Sequence, residues 1–176
     1  MTPGKRHRYA LFAVALCLCA AVVPARGDVY QEPDAFIAEV FGSKLAPRVL
    51  WLTKDIQVQV GAMLGHPPAQ LRQRYWSDGR KSVWILEETG KEEPITAGFV
   101  VVDGRIDHVR VLVYRENRGQ EVRQSSFLKQ FKDARLTPGN RLDREIDGIV
   151  GATLSVSAME RMARLALYFD RKSREQ

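Results

Sequence analysis

The sequence has few residues of the kind that bind redox metals. Its only two cysteines, Cys17 and Cys19, lie in one apolar run near the N-terminus. A chain cleaved after residue 27 therefore has no cysteine for a disulfide, an iron–sulfur cluster or a thioether-linked haem. Of the histidines, His66 and His108 remain after residue 27, which gives weak support to a zinc or copper site. Any redox work would thus require an organic cofactor.

Acidic residues are absent from the first 27 positions, which hold four of the basic ones: Lys5, Arg6, Arg8 and Arg26. These four account for most of the formal net charge of +6. Subtracting them from the 27 basic residues leaves 23 against 21 acidic residues, well interspersed along the chain. A surface of this kind does not favour a nucleic-acid groove, and we expect no nucleic-acid partner.

The first 27 residues are typical of an export signal. A basic start precedes the fifteen-residue apolar run YALFAVALCLCAAVV, and Ala25 and Gly27 place small residues at −3 and −1 of a cleavage site before Asp28. The run is shorter than the ~20 residues of a membrane span. The sequence predicts a signal peptide over residues 1–27 and a periplasmic location, with an uncleaved anchor as the alternative.

Residues 28–75 show helical periodicity and are predicted to form an N-terminal helical region. Pro33 marks the start of one helix, whose apolar residues follow at helical spacing: Phe36, Ile37, Val40 and Phe41. A second helix is predicted after Thr53 as N-cap, with one apolar face made of Ile56, Val60, Met63 and Leu64. The β-branched alternation around Val58 also permits a strand in this second segment.

Residues 76–176 are predicted to form the main domain. The runs RKSVWILEE, ITAGFVVVDG and IDHVRVLVYRE are rich in β-branched and aromatic residues, and Asp103-Gly104 is a hairpin turn signal. Strict alternation in the third run would place Ile106, His108, Arg110, Leu112 and Tyr114 on one face. The segment SSFLKQFKDA then predicts a short amphipathic helix. Helices beside such strands predict an α+β fold, an antiparallel sheet flanked by helices.

The last helix has an unusual N-terminal sequence, DGIVGATLS, which spans Asp147 to Ser155. A stripe of apolar residues from Met159 to Phe169 predicts the buried face of this helix. Ser157 and Glu160 fit a capping box, which would place Thr153 just before the first turn. The free N–H groups at a helix N-terminus favour an anion such as a phosphate, and Gly151 and Ala152 leave room for one. A turn that binds nothing is the alternative.

The stretch DGIVGATLS resembles the flavinylation motif of the FMN-binding domain family. That family includes the C subunit of the sodium-pumping NADH:quinone reductase and the G subunit of the related Rnf complex. Its motif is Asp, two variable residues, Ser or Thr, then Gly-Ala-Thr. Asp147, Gly151, Ala152 and Thr153 match it, whereas Val150 replaces the usual hydroxyl residue. The similarity covers roughly residues 81–170.

The resemblance implies a covalent flavoprotein that carries electrons. Thr153 would carry FMN through a phosphoester, joined by a separate flavin transferase that uses FAD and magnesium. The other FMN-binding residues implied are Asp147, Gly151, Ala152, Leu154, Ser155, Glu116, Arg118 and Gly119. The electron partner would be a membrane or periplasmic redox protein, and no metal site is implied.

Two other functions remain open at the level of sequence. The first is an assembly or binding subunit that holds flavin weakly or not at all, which the replacement by Val150 favours. The second is a stand-alone flavin-dependent reductase of a small exported substrate. No acid–base or nucleophile arrangement in the sequence supports the second function.

Overall fold

A six-stranded antiparallel sheet forms the centre of the computed structural model, which describes residues 27–176. The strands are β1 (Asp28–Val29), β2 (Arg48–Trp51), β3 (Arg72–Ser77), β4 (Lys81–Thr89), β5 (Pro94–Val102) and β6 (Arg105–Tyr114). Their spatial order is β1-β6-β5-β4-β3-β2. The predicted export signal, apart from Gly27, lies outside the described residues.

Helices cover both faces of this sheet. They are α1 (Pro33–Phe41), α2 (Lys54–Leu64), α3 (Ser125–Leu128) and α4 (Thr153–Ser173), with 3-10 turns at Gln120–Arg123 and Lys129–Phe131. The predicted α+β class is confirmed. Within residues 27–176, no helix is both long enough and apolar enough to cross a membrane.

Helix α4 supplies more residues to the main core than any other helix or strand. Its predicted apolar stripe is buried, with Met159, Met162, Ala163 and Ala166 all at 0% exposure. Small alanines let the helix axis lie close to β4 and β5, which α4 contacts along its length. Burial of apolar surface contributes about 25 cal/mol per Å². The burial of these side chains therefore stabilises α4 more than the helix propensity of its residues does.

Polar contacts fix α4 to β4 at two points inside the protein. Near its C-terminus, Asp170 accepts a hydrogen bond from Ser82 Oγ at 2.6 Å and pairs with Arg174 at 3.1 Å. Two turns after its start, Arg161 pairs with the buried Glu88, with Nη2 and Oε1 3.0 Å apart. Because each buried carboxylate has its partners, the position of α4 along β4 is strongly specified.

Two β-bulges interrupt the alternation of β6. The register against β5 shifts between Thr96 and Ala97 and again between Val100 and Val101. His108 and Arg110 share a face as expected, but Ile106 and Tyr114, before the first bulge and after the second, lie in the core cluster that contains α4. The prediction that all five residues share one face was therefore wrong, since each bulge turns the following side chains to the opposite side.

The N-terminal region contains more than helices. Both predicted helices are present, α2 begins after Thr53, and the strand alternative for the second helix is excluded. Strands β1 and β2 were not predicted, and they occupy the two edges of the sheet. The expected boundary between residues 75 and 76 lies within β3. This strand joins the two regions, since it pairs with β2 on one side and with β4 on the other.

We predict that Gly98→Ala destabilises the protein by about 1–3 kcal/mol, the usual cost of overpacking a core. A Cβ at Gly98 would lie 2.4 Å from the ring of Phe36, which is fully buried between α1 and the sheet. Gly61→Ala in α2 is the control, because its Cβ would meet no atom closer than 3.6 Å. In urea denaturation, the free energy of unfolding of Gly61→Ala should equal or exceed that of the wild-type protein. Equal stability of the two variants would contradict this account of the α1 interface.

Candidate functional site

Three loops meet where α4 begins. One is the turn between β4 and β5, which starts at Gly90; the second follows β6 and ends at Gly119; the third leads into α4. A Cβ at Gly119 would lie 3.0 Å from Ser155 Oγ and 3.3 Å from the Cβ of Ala152. A Cβ at Gly90 would lie 3.4 Å from the same Ser155 oxygen. The absence of side chains at both glycines therefore allows the three loops to pack together.

Helix α4 begins one turn earlier than the sequence suggested. Its first residue is Thr153, its N-cap is Ala152, and Val156 N–H donates to Ala152 O at 2.9 Å. The predicted capping box at Ser157 and Glu160 is wrong, because both residues lie inside the helix. The apolar stripe that buries α4 extends back to Val156, so packing continues the helix to Thr153.

The first turn of α4 leaves backbone donors free. Within residues 27–176, the N–H groups of Thr153, Leu154 and Ser155 have no hydrogen-bond acceptor. The Thr153 side chain is exposed. Gly151, with φ of 83°, has no atom within 4 Å of a Cβ position. An anion thus has open access to unpaired N–H groups at the positive end of a 21-residue helix.

A cavity of about 350 Å³ lies beside this helix start. The loop after β6 forms one wall and the loop before α4 forms the other; the lining residues are Asn117, Arg118, Gly119, Gln120, Glu121, Val150 and Gly151. Val150 is fully exposed, and Leu154 on the next turn is 52% exposed. The cavity therefore combines the cation of Arg118 and the carboxylate of Glu121 with apolar surface close to Thr153.

A buried hydroxyl pair holds the loop after β6 against α4. Tyr114 Oη lies 3.2 Å from Ser155 Oγ and donates to the carbonyl oxygen of Arg118. Burial raises the pKa of Tyr114, although the Ser155 hydrogen bond opposes that shift, so the phenol stays protonated and can donate. The side chain of Ser155 is thus used inside the protein, and its backbone N–H faces the helix end.

Glu116 binds the turn between β4 and β5. Its Oε1 accepts hydrogen bonds from the backbone N–H groups of Lys91, Glu92 (2.7 Å) and Glu93 (3.1 Å). Burial alone would raise its pKa, but these three donors lower it below the ordinary value. The carboxylate therefore fixes one loop of the site to another.

The remaining predicted residues lie at different distances from the cavity. Arg118 is exposed and lines it. Asp147 is exposed, and its backbone N–H donates to Gln130 Oε1 at 2.7 Å. Near Arg118 in the chain, Arg115 donates to Pro94 O and Thr96 Oγ1, both at 3.0 Å, and so belongs to the sheet.

Sequence reasoning missed Tyr114 and Gly90. Strict alternation assigned Tyr114 to the opposite face, because a bulge cannot be read from alternation alone. Gly90 precedes the charged run KEE, whose backbone N–H groups bind Glu116 from a distant part of the chain. No sequence pattern of fixed spacing links the glycine to that carboxylate. The part of the chain that the structure describes holds no group of three or more metal-binding side chains.

Residues 90–168 match the family model described as the FMN-binding domain. The matched range begins at Gly90 and covers all three loops of the site together with most of α4. No curated protein matches the chain, and no solved structure matches it.

We predict that Glu116→Gln lowers stability at neutral pH by about 1–2 kcal/mol, since a neutral amide accepts backbone hydrogen bonds more weakly than a carboxylate does. The pKa of Glu116 is lowered in the folded protein. Its contribution is therefore complete above the unfolded pKa and is lost as the pH falls through the folded value. Urea denaturation at several pH values should show the two proteins converging in acid.

Glu92→Gln is the matched control in the same loop, because the Glu92 side chain is 69% exposed and pairs only with Lys91. We expect a change within about 0.5 kcal/mol at all pH values. A constant difference between wild type and Glu116→Gln down to acid pH would show that the Glu116 charge does not hold the loop.

Proposed function

Because this chain belongs to the FMN-binding domain family through residues 90–168, we propose that it is an exported flavoprotein whose Thr153 carries covalent FMN. The observation that supports the proposal most directly is the position of Thr153. Its side chain is exposed on the first residue of a 21-residue helix, beside N–H groups that have no acceptor within residues 27–176. A hydroxyl sealed in the core would have excluded this function.

The residues present fit the phosphate end of FMN. Three free N–H groups and the helix dipole favour a negative charge at this place. Gly151 adds no side chain there, and its φ of 83° is one that other residues rarely adopt. The chain thus supplies donors and space without a metal ligand of its own.

The cavity next to Thr153 fits the ring end. Arg118 brings a cation that stays charged at all ordinary pH values, and such a charge stabilises the negative charge that a flavin ring gains on reduction. The exposed side chains of Val150 and Leu154 offer apolar surface on either side of Thr153. Bound FMN would supply reversible uptake of electrons, and the loops would shield one side of it from water.

Attachment requires a separate flavin transferase. A threonine hydroxyl is a poor nucleophile at neutral pH, and no histidine or other base contacts Thr153 among the described residues. With FAD as donor, the Thr153 Oγ–phosphorus bond forms, the pyrophosphate bond breaks, AMP leaves and the hydroxyl proton is released. Magnesium bound by the transferase would neutralise the phosphates during this step.

The proposed role is that of an electron carrier between a donor and a membrane or periplasmic redox protein. Covalent attachment suits a compartment in which a dissociated flavin would be lost by dilution. The site offers a cation and an open cavity, but no acid–base pair directed at a substrate. These features favour transfer of electrons over chemistry on a small molecule.

We predict that coexpression with a flavin transferase adds the mass of one FMN, less one water, to the intact wild-type protein. Thr153→Ala should remove the adduct completely, because no other hydroxyl replaces the attacking oxygen. Thr153→Ser should keep it, and Val150→Thr should raise the labelled fraction by restoring the hydroxyl of the family motif. Mass spectrometry of the intact protein and of its peptides measures all four.

Ser126→Ala serves as control, since Ser126 is exposed on α3 and away from the cavity. It should carry the adduct in full. A wild-type protein that stays unmodified and colourless would favour the assembly or binding subunit. Bleaching of the flavin by a small substrate alone, without a partner protein, would favour a stand-alone reductase.

We predict that protein recovered from the periplasm starts at Asp28. The basic start, the apolar run and the small residues before Asp28 support cleavage there. The mass of the intact protein and its N-terminal peptide give the cleavage site directly. Replacing Ala25 with Lys should block cleavage and leave a longer, membrane-associated form. An unprocessed wild-type chain in the membrane would favour the anchor.

A further inference from the structure

Part of the β6 edge has no neighbour. At one end, Ile106 exchanges backbone hydrogen bonds with Asp133 (2.7 Å) and Ala134 (3.0 Å). At the other end, Leu112 O accepts from the N–H groups of Tyr30 (2.9 Å) and Gln31 (3.3 Å). Between these points, residues 108–111 pair with β5 and Asp107 is the unpaired bulge residue. Within residues 27–176, none of residues 107–111 makes a backbone–backbone hydrogen bond to another segment, and Asp107 O accepts only from the Lys132 side chain at 3.4 Å. The gap is about 16 Å long, the length of a five-residue strand.

A groove of about 560 Å³ runs along this open edge. The segment around Tyr30 forms one side and α3 forms the other. Four cationic side chains line the groove, and they are Arg110, Arg123, Lys129 and Lys132. Asp107 is the one carboxylate among the lining residues. The groove is therefore positively charged on both of its sides.

The negative charge of Asp107 is already balanced within the protein. Its carboxylate lies 2.8 Å from His108 and 3.3 Å from Lys132. The His108 hydrogen bond, with Lys132 in support, lowers the pKa of Asp107, so it remains an acceptor for both. Arg110 is likewise paired, at 2.8 Å from Glu39.

Two cations of the groove have no such partner. Within residues 27–176, neither Arg123 nor Lys129 forms an ion pair with a carboxylate. Arg123 lies over the Tyr30 ring at 4.4 Å from its centroid, which holds the guanidinium at the groove wall. Lys129 is exposed on the other side. These two charges are available to a bound molecule.

We propose that this groove binds an extended acidic segment of a partner protein, which adds to the open edge of β6 as a further strand. Backbone hydrogen bonds to residues 107–111 would provide affinity for any extended chain, and the cations on both sides would select acidic side chains. The fold closes the edge at both ends, so the length and position of the added strand are fixed.

One short element of the chain lines both the groove and the cavity beside Thr153. In the 3-10 turn Gln120–Arg123, Gln120 and Glu121 line the cavity whereas Arg123 lines the groove. A protein bound in the groove is thus a neighbour of the flavin site, which suits an electron-transfer partner. That last step rests on the proposed function, but the docking itself does not require flavin.

Charge argues against two other occupants. Residues 1–26 carry four basic residues and no acidic one, so the chain's own N-terminus would be repelled. A second copy that pairs edge to edge would bring two cationic grooves together, which costs free energy. An acidic segment is the occupant that neutralises the groove.

The direct test uses the full chain and fluorescent peptides of about ten residues with alternating Glu and Val, the length that spans the open edge with flanks. Fluorescence anisotropy should show binding that weakens as salt rises, and a Lys-for-Glu peptide should not bind. Two further peptides carry N-methyl groups on one or the other set of alternate residues. Strand addition requires that one of them loses affinity by about tenfold or more, since its donors face β6. The proposal would be overturned if both N-methylated peptides bound with the same affinity as the parent peptide.

Charge reversal in the groove is the second test. Lys129→Glu and Arg123→Glu should each weaken peptide binding by about tenfold. Lys44→Glu removes an exposed lysine outside the groove and should leave binding unchanged. Equal losses from Lys129→Glu and Lys44→Glu would overturn the proposal, because only net charge would matter. Binding of phosphatidylserine vesicles without binding of the acidic peptide would also overturn it, in favour of a membrane surface.

Discussion

The burial of α4 against the sheet is the constraint on which the site depends. A row of methionines and alanines is buried against β4 and β5, and the pairs Arg161–Glu88 and Asp170–Ser82 fix where the helix lies along β4. A helix held this way must begin wherever its buried face begins. Its first turn therefore projects beyond the end of the core, and its N–H groups face solvent without partners. The free N–H groups on which the proposed anion site rests are a consequence of packing elsewhere.

Two polar contacts then decide how the loops surround that helix start. The Tyr114–Ser155 hydroxyl pair draws the loop after β6 onto α4, and the Glu116 carboxylate draws the turn between β4 and β5 toward the same place. The first contact satisfies two buried hydroxyls, and the second pairs a half-buried carboxylate with three backbone donors, so both contacts add rigidity to the loops. A preformed cavity would suit the proposed electron carrier, because a fixed environment keeps the reorganisation around a cofactor small when its charge changes. The exposed position of Thr153 would leave it accessible to the proposed flavin transferase.

The edge of β6 is open in its middle because β1 and the segment after α3 cover only the two ends of the strand. Each covers a few residues of the strand and then turns away, and neither reaches the middle. Edges of this kind invite pairing with other chains, and proteins usually protect them with charge. Here four of the five fully charged side chains at the edge are cationic, which disfavours further copies of this chain and favours acidic segments. Protection and selection thus come from the same side chains.

The sequence by itself determined a large part of this protein. Periodicity predicted α1, α2, the central strands and the buried face of α4. The motif Gly151-Ala152-Thr153 indicated the candidate site, because small residues before a helix are a local signal. Other features were decided only by tertiary structure. The bulge near the end of β6 placed Tyr114 on the face opposite to Leu112, next to α4. Packing moved the start of α4 back to Thr153, and strands β1 and β2 formed at the edges of a sheet built elsewhere in the chain. Each of these depends on contacts between residues far apart in sequence, and a local pattern contains no information about such contacts.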